Sequence, residues 1–156
     1  MDAFWWSVAT AGVAVVAVAL CWRPMRRFLR QIHLERARES FRLQRERLEA
    51  QFGPAAAATG KPRGLLWKDC QFDGAIEFAR DRQTGDIAAL SGVTIQFEAI
   101  PGSDMEGLPA VGNLRNATAV FFFHRGQWHT VGKTVFNMNP DEAIEHLKNQ
   151  YERLGA

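Results

Sequence analysis

Ala117–His124 reads ATAVFFFH, a run whose apolar side chains fall at odd and even positions alike. Side chains of a strand alternate between the two faces of its sheet. A strand apolar throughout therefore suits a sheet covered on both sides, and this segment is read as a central strand. Arg125–Gly126 turns the chain, and Gln127–Val131 with Thr134–Phe136 forms a further strand interrupted at Gly132. Upstream, Pro101–Gly112 (PGSDMEGLPAVG) is loop. Before it, Ile87–Ile100 alternates Val93, Ile95 and Phe97 with Thr94, Gln96 and Glu98, the pattern of a half-buried antiparallel strand. Asp81–Gly85 supplies a turn, preceded by two short strands, Leu65–Cys70 and Gly74–Arg80.

Downstream, Asn139, Pro140 and Glu142 make a helix start: a capping side chain, a proline at the first position and a capping-box acid. Ile144, Leu147, Tyr151 and Leu154 follow as one apolar stripe, so a helix to the end of the chain is expected to cover the sheet. No connection before that helix is long enough for a parallel crossover. The expected fold class is α+β: a small antiparallel sheet of four to five strands packed by a C-terminal helix, over residues 65–156.

Residues 1–64 have another character. Gly53–Pro54 is read as a helix stop, and residues 53–64 (GPAAAATGKPRG) as a linker. Residues 23–52 form a charged amphipathic juxtamembrane helix, with Leu34, Phe41 and Leu48 at seven-residue spacing and Ala37, Gln44 and Gln51 between them. Half of that seam is Ala or Gln, which suits a weak coiled coil or a helix against a membrane or partner. Phe4–Trp22 carries no charge. As a helix it spans about 28 Å, close to a bilayer core, with Trp5, Trp6 and Trp22 at the interfaces. No Lys or Arg precedes it, so a retained transmembrane anchor over residues 1–22 is favoured over a signal peptide. Arg23, Arg26, Arg27 and Arg30 then place the N-terminus outside and the C-terminal domain in the cytoplasm.

Charge agrees with that division. The chain is formally +2, but residues 23–52 hold nine Arg against four Glu, while residues 61–156 hold ten Lys and Arg against twelve acids. A basic excess confined to Arg23–Arg30 and its helix points to anionic lipid head groups, not nucleic acid. Two cysteines, Cys21 and Cys70, make no disulfide framework.

No motif for a cofactor is found. Gly132–Lys133–Thr134 resembles the end of a phosphate loop, but Gly126 is one residue too far upstream and the segment runs into strand-like residues. His124 and His129 flank a hairpin turn and could meet Asp104 or Glu106 around a metal, or serve a nucleophile such as Ser91, Ser103 or Cys70. No metal-ligand or nucleophile spacing supports either. Arg115, with Asn113 and Asn116 beside it at the start of the central strand, is the best single candidate for an anion contact. In the apolar helix, Ala3, Ser7 and Ala11, with Gly12 beside them, form a small-residue ridge suited to a membrane partner or self-association.

The expected function is that of a single-pass, membrane-anchored interaction or accessory protein presenting a small cytoplasmic module, and not an enzyme. A membrane-tethered ligand-binding or sensing domain is the alternative, favoured by a polar-lined pocket near Arg115. A small hydrolase or metal-dependent enzyme using His124 and His129 ranks below both.

Overall fold

The computed structural model describes the backbone of residues 2–60 and 63–155, and the side chains of residues 28, 31–60 and 63–155. Its order is a long helix α1 (Asp2–Thr59), β1 (Leu65–Asp81), β2 (Ile87–Ala99), a 3-10 turn (Pro109–Gly112), β3 (Arg115–His124), β4 (Gln127–Phe136), α2 (Pro140–His146) and β5 (Tyr151–Arg153). The chain divides into two compact units, residues 1–39 and residues 40–156. In the first, α1 carries an ion pair one turn apart, Arg38 Nη1 to Glu35 Oε1 at 3.2 Å.

The second unit is an α+β fold. Its sheet is antiparallel with strand order β4-β3-β2-β1-β5. The edge strands β4 and β5 would stand about 19 Å apart in a flat sheet. Lys133 Nζ of β4 nevertheless donates to Tyr151 Oη of β5 at 3.0 Å and to Gln150 Oε1 at 3.1 Å, so the sheet curls. Burial first, then the Asp81 carboxylate, raises the Tyr151 hydroxyl above its ordinary range. The Lys133 ammonium is lowered by burial against the opposing pull of Asp81.

Residues 40–59 of α1 cover one face. Phe41, Leu48, Phe52 and Ala56 are buried there, at helical spacing. Phe41 meets Phe78, Phe121 and Trp128 edge-on at 4.9–5.9 Å, and Phe52 meets Trp67, Phe72 and Phe121 at 5.6–6.3 Å. Trp128 Nε1 donates to Ser40 Oγ at 3.0 Å, which gives the buried indole N–H its partner. Gly132 takes a φ of 75°, and a Cβ there would run into the backbone of Ala55 and Ala56. Only glycine lets β4 come this close to the helix. The opposite face holds a second cluster of Ala79, Ala88, Leu90, Val120, Ala143, Ile144 and Tyr151, with Phe122, Val135, Met138 and Leu147 packed on it. The apolar run of β3 is thereby explained: Phe121 faces α1, and Val120 and Phe122 face α2.

Several expectations are corrected. Among the described residues no helix is long and apolar enough to cross a membrane. Residues 40–59 of α1 are charged with one apolar stripe, and that stripe packs on a sheet instead of lipid or a second helix. The transmembrane anchor, the single-pass topology, the cytoplasmic orientation and the bilayer partner at Arg23–Arg30 are withdrawn, as is the accessory-protein function built on them. The segment from which they were read, Phe4–Trp22, lies outside the residues whose side chains are described, as do Ala3, Ser7, Ala11, Gly12, Arg26, Arg27 and Arg30. Phe41 and Leu48 belong to the domain core and not to a coiled-coil seam.

The helix also passes through Gly53–Pro54 to Thr59. An interior proline costs a helix about 3 kcal/mol, and burying Phe52 and Ala56 on either side of it offsets that cost. The two short strands 65–70 and 74–80 are one strand, with register shifts between Trp67 and Asp69 and between Phe72 and Ile76. Helix α2 stops at His146, and Tyr151–Arg153 pairs with Ala79–Asp81 at the open edge of β1.

Candidate functional site

The site lies at the end of the sheet where β3 begins. Arg115 stands opposite Ile95 of β2, two positions beyond the last residue of β3 that β4 pairs, since that strand's pairing ends at Ala117–Phe136. The chain leaves β4 through Asn137, held at a φ of 58°. Asparagine tolerates this left-handed conformation better than most residues, and the Asn137 N–H donates to the Asn116 carbonyl at 2.8 Å. Two bonds then fix the entry to α2. The buried Thr118 hydroxyl donates to the Met138 carbonyl at 2.8 Å. Asn139 Oδ1 accepts from the Glu142 N–H at 2.9 Å while Glu142 Oε2 accepts from the Asn139 N–H at 3.0 Å, a complete capping box.

The bulge in β1 contributes the remaining wall. Asp73 Oδ1 accepts from the Ala75 N–H at 2.7 Å, and the carboxylate lies over Gly92, where any Cβ would collide with it. These elements enclose a cleft of about 620 Å³ whose polar lining includes Asp73, Thr94, Arg115, Asn116, Asn137, Asn139 and Glu142. A second cavity of about 250 Å³ is lined by Leu65, Phe97, Ala110, Val111 and Phe136, and also by Arg115 and Asn137. Alternation puts Asn116 and Thr94 on the α2 side of the sheet and Ile95 and Phe97 on the other. Arg115, at the free end of β3, borders both spaces. It is exposed, and among the described residues its guanidinium has no hydrogen-bond or ion-pair partner.

The other candidates are not gathered here. Asn113 closes the 3-10 turn through its backbone, donating to the Ala110 carbonyl at 3.4 Å, and does not line the cleft. His124 Nδ1 sits 3.1 Å from both oxygens of Asp86, and the His129 ring lies against Phe122 at 5.9 Å. Glu106 is engaged with the Gly102 N–H at 2.7 Å in its own loop. No group of three or more His, Cys, Asp or Glu able to hold a metal occurs among the described residues. The metal centre at His124 and His129, ranked lowest of the three readings, is corrected accordingly. Cys70 borders a third cavity of about 410 Å³ with Glu49, Trp67 and Lys68. Burial, helped by the Asp69 carboxylate, pushes its thiol up to about 11, the wrong direction for a nucleophile. Trp67, Phe72, Phe97 and Trp128 are members of the aromatic packing around α1 and its neighbours.

Asp73, Thr94, Asn137 and Asn139 were not singled out from sequence. Asn137 and Asn139 stand in the phrase VFNMNP, where asparagines before a proline read first as turn and cap residues. Asp73 enters the cleft only through the β1 bulge. No protein-family model, curated protein or solved structure matches this chain, so its site is described from its own geometry alone.

Proposed function

We propose that the domain formed by residues 40–156 is a binding module for a small anionic ligand, with Arg115 as its principal contact. One observation carries this reading: a guanidinium with no partner among the described residues borders two adjoining cavities. Its planar fork of donors matches a carboxylate or phosphate in two parallel hydrogen bonds. The amides of Asn116, Asn137 and Asn139 add neutral donors in the same cleft. The volume falls within the range of small-molecule sites, roughly 300–1,000 Å³. Asp73 and Glu142 oppose an anion, but each spends carboxylate oxygen on a backbone N–H. In this reading Arg115 is the charge anchor of a binding site.

The test is a ¹⁵N NMR titration of the full chain with inorganic phosphate and with acetate, into the tens of millimolar. Backbone amides of Arg115, Asn116 and Asn137 are expected to shift in a saturable way, and Arg115→Ala is expected to abolish those shifts while leaving the rest of the spectrum in place. Shifts that persist in Arg115→Ala, or that never saturate, would overturn the assignment.

A further inference from the structure

We infer that the ligand anchored at Arg115 is an amphiphilic carboxylate whose apolar part occupies the smaller cavity; this rests on the anion site proposed above and names its ligand class. Arg115 and Asn137 line the smaller cavity as they line the polar cleft, so a head group held by the guanidinium lies beside apolar walls. Those walls are Phe97, Val111, Leu65 and Phe136. Phe136, in the wall, is left 42% exposed, so a large apolar side chain stands wet at this rim. A ligand's apolar part would cover it.

Size selects among amphiphiles. A dry apolar cavity of about 150 Å³ accommodates benzene. At about 250 Å³ this one has room for a ring with a few methylenes, or an alkyl chain of similar bulk. A long acyl chain overfills it. The head group is a carboxylate because the cleft beside Arg115 offers one guanidinium against Asp73 and Glu142, and one cation compensates a single negative charge better than the two of a phosphate.

The experiment compares acetate, butyrate, hexanoate, octanoate and decanoate against the full chain by calorimetry or NMR, with hexanol as the uncharged control. Affinity is expected to rise about fourfold for each added methylene that is buried, then to level once the cavity is full. Ala110→Trp, on the exposed 3-10 turn, is expected to remove the chain-length dependence, so that octanoate binds no more tightly than acetate; Val111→Phe guards against a local disturbance of that turn. Arg115→Ala is expected to weaken every carboxylate and leave hexanol unchanged. Equal affinities for acetate and octanoate, both lost in Arg115→Ala, would overturn the amphiphile and keep the anion site. A chain-length dependence undiminished in Arg115→Ala would overturn the anion site itself.

Discussion

At Cys70, burial and the Asp69 carboxylate act in the same direction, and the thiol rises from 9.0 to about 11. The consequence for stability has a definite sign. Below pH 9 the thiol is protonated in folded and unfolded chains alike. Between pH 9 and 11 the unfolded chain ionises first, so unfolding releases a proton and stability falls as pH rises. Tyr151, also raised, adds a loss at still higher pH. Urea denaturation at several pH values is expected to show a shallower loss across that window for Cys70→Ala than for the parent chain. Equal slopes would place the thiol in water. Single residues were unevenly legible in the sequence. Arg115 stood out because a lone cation at a loop–strand junction has few structural duties. Gly132 was seen only as an interruption of a strand. Its actual constraint, the approach of Ala55 and Ala56, comes from a segment more than 70 positions away, and local pattern does not carry that.

Among the elements, the strands and the start of α2 were the most readable, because period-two alternation and a capping box are set by neighbours in the chain. The partner of a helix face is not. Phe41 and Leu48 recur seven residues apart, and that spacing is the same whether the stripe meets another helix or a sheet. The Ile144–Tyr151 stripe had the same ambiguity: Tyr151 is buried as the stripe implies, but from a strand that completes the edge of β1. The packing of α1 gives a direct check. Phe52 and Phe121 are fully buried on the α1 side, while Phe122, on the α2 side, is half-buried. Phe52→Ala and Phe121→Ala are each expected to cost about 3–5 kcal/mol in denaturant unfolding, and Phe122→Ala less. A loss below about 1 kcal/mol for Phe52→Ala would detach the helix from the core.

For the molecule as a whole, residues 40–59 of α1 supply one layer of a three-layer domain, and the curl of the sheet leaves a polar cleft open at one end. Asp73, Arg115, Asn137 and Asn139 reach that cleft from a bulge, a strand end, a left-handed turn and a helix cap. Such a site is assembled by tertiary geometry, which is why the sequence disclosed Arg115 and its neighbour Asn116 and not the members from other elements. The most direct test of the anion site is a crystal structure of the full chain grown with octanoate. The account predicts the carboxylate in a two-point contact with the Arg115 guanidinium and the chain against Phe97, Val111 and Phe136. An octanoate bound elsewhere, or Arg115 closed onto Asp73 or Glu142 with the cleft unfilled, would contradict it.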